Sequence, residues 1–163
     1  MVGTVQDETL LQHHLGMDPR EFHKLAAELV ADTTPAKIRT AINRAYYAAH
    51  NVGVEVLTEM GFRIERGPAG HSGVWERLGN CGDEEVIKAG SQLADLQSKR
   101  NKADYRLGNK DVESQKTAQA DVELARRIIQ ILDACSSGPQ RTQIIEAIRD
   151  WERKTGKTWT SVI

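Results

Sequence analysis

The chain lacks any long apolar stretch: its longest uninterrupted run is five residues, Ala45 to Ala49, against the roughly 20 needed to cross a bilayer. No membrane association is expected. Its first ten residues, MVGTVQDETL, have neither a basic flank nor an apolar core, so no secretory signal is expected either. Cysteine is scarce, with only Cys81 and Cys135; they form neither a CxxC metal pair nor a disulfide framework, and point to a reducing cytoplasm without structural zinc. Charge of one sign is not in excess, since 22 lysines and arginines face 23 aspartates and glutamates for a net charge of −1. A globally basic nucleic-acid coat protein and an acidic tail domain are both disfavoured, and any anion-binding surface has to be a local patch. With four prolines and no run of alternating β-branched residues, no sheet is expected.

What is present is a helical composition on a chain of 163 residues and 18.1 kDa, the size of one domain that buries roughly 70% of its unfolded surface. Residues 1–16 read as a flexible lead-in. The first helix opens at Met17-Asp18-Pro19-Arg20-Glu21, where aspartate caps, proline takes the first helical position and glutamate completes a capping box. Thr34-Pro35 repeats the start signal, and Ile38, Ile42, Ala45, Ala49, Val52, Val56 and Met60 form an apolar stripe up to Gly61. Ala41, Ala45, Ala48, Ala49 and Gly53 on that helix let a neighbour come close. The segment GFRIERGPAGHSG, 61–73, reads as an exposed, mobile loop.

A short helix capped by Ser72 is expected next, through Trp75 and Leu78 to Gly79. Asp83 can cap a longer helix running to about Leu107, and Asp111 to about Cys135 reads as a central, two-sided helix. After the boundary at Ser136-Ser137-Gly138-Pro139, Ile144, Ile145, Ile148 and Trp151 mark a last helix. The expected architecture is an all-α, up-and-down bundle of four to five helices over 17–135, with a short helix, and a C-terminal appended helix and tail over 136–163.

One residue breaks the core pattern. Leu93, Leu96, Arg100, Ala103 and Leu107 recur at helical spacing, so an arginine occupies a core-stripe position. A buried guanidinium requires compensation by a carboxylate, a set of carbonyls or a bound anion. Asp104, one turn onward, can supply it for architecture alone. Yet between Gln97 and Lys110 five cations, Lys99, Arg100, Lys102, Arg106 and Lys110, face only Asp104, a local excess suited to phosphate. A second polar stripe, Arg39, Asn43, Tyr46 and His50, recurs on the second helix beside Tyr47 and Asn51. Aromatic, amide and imidazole groups on one face can stack on a base and bond its edges, or they can be satisfied interior groups of a bundle.

No HExxH, nucleophile elbow or paired-carboxylate motif is present. His13-His14 belongs to the lead-in rather than to a metal site. Gly156-Lys157-Thr158 is not a phosphate loop, because Trp151 stands where its first glycine belongs and no strand precedes it. No metal or cofactor is expected.

The run Arg39-Thr-Ala-Ile-Asn-Arg-Ala-Tyr-Tyr-Ala-Ala-His50, followed by His71-Ser72 and by Arg100-Asn-Lys-Ala-Asp-Tyr105, resembles the HEPN domain family of prokaryotic proteins over roughly residues 18 to 135. The resemblance implies a helical bundle that tends to pair as a dimer, with roles in RNA cleavage, nucleotide binding, toxin–antitoxin pairs and antiviral defence. In the family's ribonucleases the motif is arginine, a polar residue, and a histidine four to six residues further along. Arg100 and Asn101 match the first two positions, but Tyr105 stands where the nearest histidine belongs and no histidine follows His71. A tyrosine near pKa 10 starts about 4 kcal/mol behind as a base at neutral pH.

The leading expectation is therefore an RNA- or nucleotide-binding module of a prokaryotic defence or stress system. Arg100 would hold phosphate, Asn101 would bond phosphate or ribose and Asp104 would orient Arg100, with Arg39, Asn43, Tyr46, Tyr47, His50, Lys102 and Arg106 completing the surface. The alternatives are a metal-independent ribonuclease using Arg100 and Asn101 with Tyr105 or a displaced histidine, and a non-catalytic scaffold. The expected partners are RNA or a nucleotide and either a second copy or another protein.

Overall fold

A computed structural model describes residues 16–157. His13-His14, the rest of the lead-in before Gly16 and the tail from Thr158 lie outside the described residues. Six α-helices and no strand occur among them: α1 (Arg20–Val30), α2 (Pro35–Glu59), α3 (Pro68–Gly79), α4 (Glu84–Tyr105), α5 (Gln115–Cys135) and α6 (Gly138–Thr155), with a 3-10 turn over Lys110–Glu113 before α5. The expected all-α bundle is the observed fold. No helix among the described residues is long and apolar enough to cross a membrane.

Each of the four prolines stands at a helix start. Pro19 precedes α1, Pro35 and Pro68 open α2 and α3, and Pro139 lies in the first turn of α6. A first-turn proline gives up no intrahelical bond and arrives with its φ already helical. This explains the main departure from the expected elements: α3 starts at Pro68, not Ser72, so the second half of the anticipated loop is helix. The first half is anchored, because Phe62 is buried and its N–H bonds to the Leu57 carbonyl at 2.9 Å.

Local bonds shift other boundaries. The Asp18 carboxylate accepts from the Arg20 N–H at 2.9 Å, but Glu21 turns outward to Lys24 instead of closing a capping box. Asp83 caps α4 as expected, accepting from the Val86 N–H. The start anticipated for α5 at Asp111 moves to Gln115, since Asn109 and Ser114 each cap a separate turn by accepting from the N–H groups of Asp111 and Thr117. Helix α4 ends at Tyr105, two residues before Leu107.

Helix α2 packs against α1, α3, α4 and α5, and α5 against α1, α2, α4 and α6. The contacts depend on missing side chains: a Cβ on Gly53 would lie 2.8 Å from Val74 and one on Gly90 would lie 2.9 Å from Leu78. Helix α6, expected as an appendage, contributes Ile144 and Ile148 to the same core. It is also tied to α3 by an ion pair that no periodicity announced. Arg77 Nε donates to Glu152 at 2.9 Å, with both residues 2% exposed. Cys81 and Cys135 are free and buried, and burial pushes the Cys135 thiol up to about 11.

Candidate functional site

The core stripe of α4 does bury its arginine: Arg100 is 7% exposed. Its surroundings come from the middle of α2, where the helical repeat sets Tyr46 and His50 one turn apart with Tyr47 alongside. The guanidinium carbon lies 5.3 Å from the ring centres of both Tyr46 and Tyr47, within the range of cation–π attraction. Its one carboxylate neighbour among the described residues is Asp104, at 3.7 Å, too long for a hydrogen bond. That same Asp104 oxygen, Oδ2, accepts from Asn43 Nδ2 at 2.7 Å. Arg100 therefore makes no hydrogen bond to any described residue, and its Nε is sealed from solvent without a partner while its Nη atoms are not sealed.

Helix α3 completes the cluster. By starting at Pro68 it places His71 in its first turn, where Nδ1 lies 2.6 Å from the Tyr46 hydroxyl. The rings of His50 and His71 are 4.6 Å apart, and His50 stacks on Tyr46 at 5.5 Å. Burial brings His50 down to about 4, with His71 and Arg100 adding to the effect. His71 is lowered as well, by desolvation first and then by Arg100. Both imidazoles are thus neutral at pH 7. Burial raises the Tyr46 phenol well above its ordinary value, against the pull of Arg100. The cluster combines a cation that lacks a hydrogen-bonded counterion, two neutral imidazoles and two aromatic faces, which can hold an anion and stack a planar group.

The tertiary structure thus gathers Asn43, Tyr46, Tyr47, His50, Arg100 and Asp104 from two helices. It does not gather the rest. Arg39 is buried and engaged throughout: Nη1 donates to the Ala103 carbonyl at 2.8 Å, Nη2 to the Asn109 carbonyl at 2.8 Å and to Glu113 at 2.8 Å, and Nε to Glu113 at 3.1 Å. It fastens the chain after α4 and has no donor to offer a ligand. Asn101, Lys102 and Arg106 are exposed, and Tyr105 is 75% exposed, so Tyr105 does not occupy the buried cluster with Arg100. Lys99, one of the five cations between Gln97 and Lys110, pairs with the buried Asp121.

His71 is the member that sequence reasoning could not position, because the segment around it reads as a loop; the signal available was Pro68 at a helix start. A concavity of about 530 Å³ lies away from this cluster, toward the C-terminal end of α2, lined by Asp18, Arg20, Glu55 and Glu59 among others. Its arginine is already paired with Asp18, Glu55 and Asp133, so it is no anion site. No family model, curated protein or solved structure matches the chain.

Proposed function

We propose that the cluster around Arg100 binds the phosphate of an RNA or a nucleotide, making the chain a HEPN-like binding module of a prokaryotic stress or defence system that works in the cytoplasm. The reading is supported above all by the state of Arg100, a nine-tenths buried cation without a hydrogen bond to any described residue, whose Nη atoms remain accessible. Such a group gains more from a phosphate oxygen than an exposed lysine does, because less of the interaction is screened by water. Tyr47, half-buried beside it, offers a face for a base. A single half-site of this kind becomes a cleft when two copies meet about a two-fold axis, and the family resemblance implies such a dimer.

The test is a titration with a short single-stranded RNA and, separately, with a nucleoside triphosphate at two salt concentrations. Binding weakens with salt, and Arg100→Ala reduces it at least tenfold while Lys110→Ala changes it about twofold or less. Equal effects of the two substitutions on folded protein overturn the reading. Sedimentation with and without RNA tests the dimer.

A second reading, metal-independent RNA cleavage, is favoured by one observation, the 4.6 Å approach of His50 and His71 beside Arg100. Proton transfer at the 2′-hydroxyl and at the leaving oxygen calls for groups of this type. EDTA-resistant cleavage that is lost in His50→Ala and kept in Tyr105→Phe supports it; its absence from wild type leaves binding alone.

A further inference from the structure

Tyr46 has no exposed surface, and its hydroxyl has one hydrogen-bond partner among the described residues, His71 Nδ1 at 2.6 Å. A buried hydroxyl carries one hydrogen that needs an acceptor. With a proton on Nδ1 the hydroxyl would have to accept, and its own hydrogen would face no partner. Both groups are satisfied when Tyr46 donates and Nδ1 accepts, which puts the imidazole hydrogen on Nε2. That Nε2 bonds to no described residue and, unlike Nδ1 of His50, is not sealed from solvent. The same holds for the Nη atoms of Arg100. Both side chains pack on the one Tyr46 ring, the guanidinium at 5.3 Å and the imidazole at 5.7 Å.

Resting on the phosphate-binding reading, we infer that Tyr46 is a positioning residue: its hydroxyl locks His71 as the Nε2–H tautomer, so that His71 donates a hydrogen bond to a phosphate oxygen beside Arg100. Both nitrogens of His71 are then committed, one accepting from Tyr46 and one donating outward. The ring keeps no free lone pair and cannot serve as a base without breaking the bond to Tyr46. Of the two imidazoles only His50 is left for proton transfer, and only through Nε2, because its Nδ1 is sealed from solvent. Recognition and any acid–base chemistry therefore fall to different histidines.

The experiment is long-range nitrogen–proton NMR of the full chain at pH 7, on wild type and Tyr46→Phe, with circular dichroism to verify folding. Wild-type His71 shows the Nε2–H pattern, and Tyr46→Phe shows a mixture of tautomers. Titration with inorganic phosphate, a trinucleotide RNA and a nucleoside diphosphate in turn moves the His71 Nε2 resonance, and Tyr46→Phe weakens binding about three- to tenfold. An Nδ1–H or mixed pattern in wild type overturns the role of Tyr46. Phosphate that binds at Arg100 but leaves the His71 resonance unmoved overturns the donor role. Should Tyr46→Phe fail to fold, the wild-type spectrum and titration still decide. Failure of all three probes to bind overturns the phosphate-binding reading and the donor role with it, while the wild-type tautomer still tests the Tyr46–His71 lock by itself.

Discussion

The guanidinium of Arg100 lies 5.3 Å from the ring centre of Tyr46 and 3.7 Å from the nearest carboxylate oxygen, that of Asp104, so an aromatic face from another helix is what it leans on. This arrangement stabilises a buried cation only in part. Cation–π attraction contributes on the order of 1–2 kcal/mol when desolvated, against a desolvation cost of several kcal/mol per buried ion. Arg100→Leu is therefore expected to leave folding stability unchanged or to raise it by up to about 2 kcal/mol, while phosphate binding is lost. Urea denaturation measures the first and RNA titration the second. A stability loss above about 2 kcal/mol would assign Arg100 to architecture.

Arg39 behaves oppositely, because its donors already have partners. Arg39→Met leaves Glu113 and the carbonyls of Ala103 and Asn109 without their donor, and is expected to cost about 3–5 kcal/mol. Thermal and urea melts read the loss. Hydrogen exchange should show Lys110–Glu113 opening first, since that turn follows the carbonyls Arg39 holds.

Stability should also depend on pH through His50. Its folded value of about 4 lies below the ordinary 6.5, so between those values the unfolded chain binds the extra proton. The stabilisation is present above about pH 6.5 and is lost as pH falls toward 4. From pH 7 to 5 the loss is about 2 kcal/mol from His50, with a smaller one of the same sign from the half-buried His71. Urea midpoints across that range should fall in wild type and fall less in His50→Phe.

Between α3 and α4, Gly90→Ala should destabilise although alanine is the better helix former. Its Cβ would meet Leu78 Cβ at 2.9 Å and the Trp75 carbonyl oxygen at 3.1 Å. Overpacking of this kind costs about 1–3 kcal/mol, against the roughly 1 kcal/mol that alanine gains over glycine in a helix. The expected outcome is a lower melting temperature for Gly90→Ala, with helix content unchanged by circular dichroism.

The ion pair holding α6 gives a non-additive result. Arg77→Met or Glu152→Leu alone strands a buried charge and should cost about 3–5 kcal/mol, whereas the double substitution should recover most of that loss. Additive losses in urea melts would mean that the two side chains do not act as a pair.

The sequence by itself determined that the chain is helical and where most of each helix lies, because that depends on local rules: proline and aspartate at starts, glycine at stops, and apolar residues every three or four positions; it misplaced the starts at Pro68 and Gln115. It also determined that Arg100 is buried, since Leu93, Leu96 and Ala103 share its face. What surrounds Arg100 was decided by tertiary structure. Periodicity orients a residue toward the core but does not say which neighbour meets it there. Arg39 and Tyr46 share one polar stripe in sequence, yet Arg39 reaches the chain after α4 and is saturated, while Tyr46 meets Arg100 and His71. His71 has the opposite history: it lies in a glycine-rich segment, and only the packing of α3 against α2 brings its ring to Tyr46 and His50. A hydrogen bond between residues 25 positions apart depends on where two helices cross, and that is fixed by the whole core rather than by either segment.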